Sequence, residues 1–393
     1  MRIVRTFHPV GQGAFYSERF YDDNRHDAIH NIVYDCGTLL GYIRNAKKVV
    51  SQAFDKDDVI DYLFISHLDY DHISLVDTLL SSVGGVRNIV LPLIAIDELQ
   101  VEMAYQQISD NSVGAVSFLQ KIINHLNEHF ENDYSSGEYN ILYVRDEEAA
   151  NIGVGNAGHW INGTQRQISN IPDWILIPYN LEYHSRKSEL IKQFDAVVAE
   201  DEFINEINRI GETIIQDGDE LYRRLTDPVF VRKVINNTKL KNKIKKAYEN
   251  IEGGTNENSL MLYSGPMNEL DKYRMHTYKP YCIDRFYDSF RAGCLYTGDN
   301  NFDISKWEKT IYKIVWDNIE TIQIPHHGSL ESFTVVNNPI ERRYIFPVSF
   351  GTKNTFGHPS GKVMSYLLSK DCFPVMVTEM ADTVFFQKIS RRV

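Results

Sequence analysis

Apolar residues recur along the chain with two spacings, and the change between them divides it. Near the start, short apolar runs end in glycine or in polar loops, as in "RIVRTFHPV", "HNIVYDCG" and "YLFISHLDYDHIS". Brief runs rich in β-branched and aromatic residues and bounded by turn residues predict strands. "ISLVDTLLSSVGG" instead places Ile73, Val76, Leu79 and Leu80 at helical spacing and stops at Gly84-Gly85. "VRNIVLPLI" predicts another strand, so the first hundred residues alternate strand, loop and helix.

From about 100 to 255 the spacing is mostly helical, with strands at "YNILYV" and "DWILIPY". Val116, Leu119, Ile122, Ile123 and Leu126 share one helix face, and residues 185 to 250 are helical and charged. There Leu240, Ile244, Tyr248 and Ile251 fall on one face, while Lys239, Lys241, Lys243, Lys245 and Lys246 largely lie elsewhere. The plain reading of those lysines is a solvated face; the functional one is a substrate-steering patch. From 256 strands return in "NSLMLYSG", "AGCLYTGD", "IETIQIPHHGS", "RRYIFPVSF" and "PVMVTE", with a helix at "SGKVMSYLLSK". Gly253-Gly254-Thr255-Asn256 marks a hinge before this second β-rich part.

Bulk properties change this picture little. At 393 residues a sizeable core is expected. The formal net charge of -12 argues against a general nucleic-acid coat protein, since phosphate binding needs positive charge. It leaves room for a local basic groove or for metal ions that supply the charge. Cys36, Cys282, Cys294 and Cys372 are scattered, as expected for reduced thiols in a cytoplasmic protein. "MRIVRTFHPV" has no signal-peptide core, and no run of 18 apolar residues suggests a membrane span. A soluble protein without a membrane partner is expected.

The chemistry lies at strand ends. His67, Asp69, Asp71 and His72 fall within six residues after an apolar run. Asp35 in "YDCG", Asp299 in "LYTGD" and His326-His327 in "PHHGS" occupy equivalent places, and "GHPS" adds His358. A solvated turn explains any one cluster, because Asp and His are common in turns. Several such clusters together point to imidazole and carboxylate ligands for first-row divalent ions.

Order and local spacing of "VGQGAF", "IVYDCG", "SHLDYDH", "LYTGD", "PHHGS" and "HPS" resemble the metallo-β-lactamase superfamily, most like the hydrolase domain of ComEC-type competence proteins. The resemblance implies an α/β (α+β) fold, a four-layer αββα sandwich with metals at one edge between its sheets. Residues 1–100 and 256–393 would form its halves, and 101–255 a large, mostly helical insertion. His67 and Asp69 would then hold the first metal and Asp71 and His72 the second, with Asp299 bridging. A histidine of the His326-His327 pair would complete the second metal, and Asp35 would orient the ligating loop from behind. The chain departs from the pattern at Pro9 and Ala14, where the family typically carries aspartates. Many relatives also have a further metal-binding histidine before the bridging aspartate. His125, His129, His159, His184 and His276 lie in that interval, and His159, in a loop-like "GNAGHWING", is the chosen candidate.

Two divalent ions, Zn²⁺ or Mn²⁺, are therefore the expected cofactors, with a hydroxide between them as nucleophile. Asp69 stands where a second histidine is more usual, which makes Mn²⁺ competitive. That favours a metal-dependent phosphodiesterase or nuclease acting on a nucleic acid or nucleotide. Asp71, Asp299 and His358 are the candidate catalytic residues, and His358, Ser329 and Lys353 are candidates for gripping phosphate. A hydrolase of a small lactone, thioester or β-lactam is the alternative. A regulatory protein that binds a protein partner through the helical insertion is a third reading.

Overall fold

Two extended sheets face each other, and helices cover the outer face of each. The computed structural model describes all residues except 24–26, 93, 110–112, 129–138, 146–157, 162–165, 169–170, 181–185, 212–213, 251–258, 268–271, 279–284, 334–339 and 393. Among the described residues the first sheet has ten strands. In spatial order they are Arg285–Ser289, Tyr273–Tyr278, Phe385–Arg391, Arg2–Phe7, Phe15–Tyr21, Ala28–Cys36, Tyr62–Phe64, Asn88–Pro92, Asn140–Arg145 and Gly158–Ile161. The second has seven: Arg166–Ile168, Ile171–Tyr179, Met261–Pro266, Gly293–Tyr296, Ile319–Ile322, Ile345–Ser349 and Phe373–Val377. In both, the strands that end at candidate site residues run parallel to a neighbour. Parallel strands bring their carboxyl ends to one edge, where α/β sheets build sites.

Three apolar cores account for the layers. Ile3, Phe7, Tyr16 and Tyr34 of the first sheet meet Trp174, Leu262, Tyr296 and Val375 of the second. Val33, Leu63 and Ile89 pack outward against Val50, Leu79 and Phe118 of helices Ile43–Gln52, Val76–Ser82 and Val113–Glu128. On the far side, Leu295, Ile322 and Phe346 pack on Trp307 and Leu367 of helices Ile304–Glu308 and Gly361–Ser369. The order helix, sheet, sheet, helix is the expected four-layer αββα sandwich. A buried polar cluster spans the inter-sheet core. Arg5 donates to Glu18 at 2.7 Å, to Gln387 at 3.0 Å and to the Ala292 carbonyl at 3.1 Å. A buried ion pair needs such further bonds to offset its desolvation.

Residues 101–255 contribute strands to both sheets as well as helices. Helices Arg186–Val198, Asp201–Gly211, Gly218–Arg224, Pro228–Ile235 and Thr238–Glu249 enclose a fourth core around Phe194, Ile207, Leu221, Val234 and Ile244. Side chains cap the starts of the last two: Asp227 accepts from Val229 N at 2.8 Å and Asn237 from Leu240 N at 3.2 Å. Helix Ile96–Ile108 belongs to two cores. Leu99 and Met103 join the sandwich, whereas Val101, Ala104 and Ile108 join the helical unit. Buried Glu102 on that helix accepts from the Tyr248 hydroxyl and from Gln106 Nε2, tying the two parts together. Lys239, Lys243 and Lys245 pair with Glu202, Glu200 and Glu249. The Gly253-Gly254 hinge lies outside the described residues. No described helix is long and apolar enough to cross a membrane.

Candidate metal centre

Strand Tyr62–Phe64 ends at Ser66, whose backbone N–H and hydroxyl both donate to Asp35, at 2.7 and 2.8 Å. Asp35 closes strand Ala28–Cys36 in the left-handed region, at φ 55°. That conformation costs a residue with a side chain about 1–3 kcal/mol, which the two bonds help to offset. Asp35 Oδ2 also accepts Nδ1–H of His72 at 2.9 Å. Glycines let the neighbouring chain press on this loop. A Cβ at Gly13 would sit 2.6 Å from the Asp71 carbonyl oxygen, and one at Gly37 would meet the same oxygen. Ala14 N–H donates to that carbonyl at 3.3 Å. "VGQGAF" and "DCG" thus form the floor beneath "DYDH".

The second sheet supplies the rest. Gly298, at φ 55°, turns the chain after strand Gly293–Tyr296 and aims Asp299 into the centre. After strand Ile319–Ile322, His326, His327 and Gly328 take φ values of 48°, 53° and 79°. Three successive left-handed residues turn the two imidazoles in different directions. His326 Nδ1 meets Ser332 Oγ at 2.7 Å, whereas His327 Nδ1 donates to the Ser349 carbonyl at 2.8 Å.

Those fixed bonds decide what the other ring nitrogens offer. The Ser349 carbonyl only accepts, so neutral His327 carries a lone pair on Nε2. That lone pair faces Asp71 Oδ2 at 3.0 Å. His72, with its Nδ1–H committed to Asp35, likewise turns a bare Nε2 toward Asp299 Oδ1 at 3.3 Å. His67 Nδ1 lies 2.9 Å from Ser66 Oγ and 3.3 Å from Ser259 Oγ. Its Nε2 lies 3.6 Å from Asp69 and 3.9 Å from Asp299. His67 Nε2, His72 Nε2 and Asp299 Oδ1 are buried without a hydrogen-bond partner. Acceptors facing acceptors in a buried site require a proton or a cation between them. Two groups have ligand atoms close enough to share an ion: His67, His72 and Asp299, and Asp71, His72 and His327. The donor set of imidazoles and carboxylates fits two divalent ions.

The electrostatics agree. Burial opposes charge on His72, but Asp299, Asp35 and Asp71 outweigh it and hold the imidazole well above its usual range. Burial likewise opposes the charge on Asp299, yet His72, His326 and His67 keep it well below the carboxylate range. Asp71 is lowered against burial by His72 and His327, and His327 is raised against burial by Asp71 and Asp299. The centre thus favours bound positive charge, which a divalent ion provides in place of protons.

A cleft of about 780 Å³ opens over the centre, lined by Asp69, Asp71, Asp299, His326, His327 and His358 among others. Asp69 lies on the wall, with a side chain 36 % exposed. His326 lines the cleft without joining either converging group. His358 lines the cleft from another loop, its ring 5.6 Å from that of His326. Ser329 is buried on the cleft, and exposed Lys353 is not among its lining residues. Among the other histidines, His276 pairs with Asp288 at 2.8 Å and His125 stacks on Tyr139, both within structural contacts. The backbone of His159 pairs with Tyr143 in the edge strand Gly158–Ile161 rather than forming a loop; its side chain and all of His129 and His184 lie outside the described residues. Sequence reasoning missed Ser66, Ser259, Ser332 and the Ser349 carbonyl, which orient the imidazoles. Ser66, adjacent to His67, carried a signal; a backbone carbonyl carries none.

A family model described as the metallo-beta-lactamase superfamily matches residues 29–87. The matched segment holds Asp35 and the 67–72 loop and ends before Asp299, His326 and His327. The match supports a metal-dependent hydrolase in general. No curated protein matches the chain.

Proposed function

We propose that the protein is a metal-dependent phosphodiesterase. The observation that carries this reading is two opposed pairs of acceptors: His72 Nε2 against Asp299 Oδ1, both buried, and buried His327 Nε2 against the half-buried Asp71 Oδ2. His67, His72, Asp299, Asp71 and His327 would hold two divalent ions, with Asp69 and His326 at the rim. Ions bound there supply Lewis-acid activation of water and neutralise charge that builds on a phosphoryl oxygen. Asp299 lies within reach of both His67 and His72 and is the natural shared ligand. Asp35 and the Ser349 carbonyl fix the orientation of His72 and His327, which would leave their Nε2 lone pairs for ions bound there. His358 lines the cleft beside His326, and its role in this reading would be to donate a hydrogen bond to the leaving oxygen. Carboxylate-rich ligation suits Mn²⁺ as well as Zn²⁺, and the motif likeness to competence-type hydrolases supports a nucleotide or nucleic-acid substrate.

A second reading, hydrolysis of a small lactone, thioester or β-lactam, is favoured by one feature. None of the described lining residues of the cleft is Lys or Arg. The decisive experiment loads the protein with Mn²⁺ or Zn²⁺ and follows a chromogenic phosphodiester, a lactone and a thioester in parallel. Diester cleavage that chelation abolishes is expected. Lactone or thioester opening without diester cleavage gives the second reading its place.

A further inference from the structure

We infer that Phe356 determines specificity by stacking a planar ring of the substrate beside the scissile group. The cleft would then take small, singly charged, ring-bearing phosphodiesters rather than long polyanions. This rests on the phosphodiesterase reading and names its substrate class. Phe356 lines the cleft and is 62 % exposed. One side of its ring lies over His358, at 5.9 Å between centroids and 16° between planes. An exposed aromatic on the wall of a polar cleft offers a flat apolar face to a ligand in that cleft.

The loop that carries it is pinned rather than loose. Asn354 Nδ2 donates to the Gly351 carbonyl at 2.6 Å and the His358 carbonyl at 2.7 Å, and His358 N–H returns to Asn354 Oδ1 at 3.2 Å. Gly351 N–H donates to Gln12 Oε1 at 3.0 Å, anchoring the loop to the floor of the centre. A ring presented this way loses little freedom on stacking. Leu330, 40 % exposed, extends the apolar margin on the same cleft.

The charges on the walls set the other half of the preference. Glu249, from the end of helix Thr238–Glu249, and Glu331 line the cleft beside the candidate ligands. A polyanion leaving the centre would meet carboxylates and, among the described lining residues, no Lys or Arg to neutralise its phosphates. Base–aromatic stacking is worth about 1–3 kcal/mol, so the ring supplies affinity that the charges do not.

The test titrates metal-loaded protein, by calorimetry, with thymidine 5′-monophosphate and with ribose 5-phosphate. Phe356→Ala should weaken thymidylate binding about tenfold and leave ribose 5-phosphate unchanged, with Phe356→Tyr restoring the difference. Equal loss on both ligands, no loss on either, or no binding of thymidylate to the unaltered protein overturns the stacking role. Turnover of thymidine 5′-(4-nitrophenyl phosphate) separates the two claims. If the binding difference is present but this diester stays uncut, the phosphodiesterase reading and the substrate class fail together, and only the ring-stacking role of Phe356 stands.

Discussion

His72 and Asp35 stand 37 residues apart in the chain and are joined by a 2.9 Å hydrogen bond. That bond fixes which nitrogen of His72 keeps its lone pair, and the lone pair faces Asp299. A residue outside the proposed ligand set thus sets what a ligand can do.

Asp35→Asn should therefore lower affinity for Mn²⁺ or Zn²⁺ by about 10–100-fold, the usual cost of losing an orienting partner. Competition against a fluorescent chelator measures it. An unchanged dissociation constant would show that the His72 tautomer is fixed by something else.

Asp299→Ala removes the carboxylate that lies near both His67 and His72. Bound metal per chain should fall by elemental analysis, and diester turnover should drop at least about 100-fold. Full metal content in this variant would remove Asp299 from the ligand set.

Gly37→Ala tests the floor of the centre. Its new Cβ would meet the backbone of Asp71 and His72, which cannot move without moving the ligands. Overpacking of this kind costs about 1–3 kcal/mol. Urea unfolding should show that loss, and metal affinity should fall with it. A variant as stable as the parent and equally metal-bound would mean that the loop has slack.

His8 gives the protein an acid-sensitive element. Burial pushes its imidazole down to about 3, helped by the charge of Arg19, while Ser17 Oγ sits 2.7 Å from its Nε2. The unfolded chain takes up this proton below about pH 6.5. The folded chain does so only near pH 3. Stability is therefore fully present above the unfolded value and is lost as pH falls, by up to about 1.4 kcal/mol per pH unit. His8→Gln should flatten that slope in urea unfolding at pH 6.5 and 4.5. An unchanged slope would assign the acid sensitivity to other groups.

Much of the centre was legible because its residues follow apolar runs. Asp35 stands at the end of a strand and His67 and Asp299 just past one, where a polar residue interrupts the pattern. What orients them was less visible. Ser259 precedes its strand with no motif around it, and the bond to His327 comes from a backbone carbonyl. Helix Ile96–Ile108 escaped the periodicity reading because it serves two cores, so its apolar residues do not form one stripe. Strand Phe385–Arg391 escaped it for a different reason. Between inward Phe385 and Ile389 stands Gln387, buried because it bonds Arg5 on the neighbouring strand and Thr321 on the facing sheet. A polar residue satisfied only by tertiary contacts looks, in sequence, like a solvent-facing one.

That same strand lies between Arg2–Phe7 and Tyr273–Tyr278. Strand Arg2–Phe7 is made well before Phe385–Arg391, so one of its edges must wait for that later strand. Unpaired edges invite association with other chains, and domains generally fold as units. The Arg5–Gln387 bond closes only when that late strand docks. A ribosome still short of residue 391 thus holds a chain in which Arg2–Phe7 is paired with Phe15–Tyr21 on one edge and bare on the other, which makes this interval the one in which a chaperone would matter most.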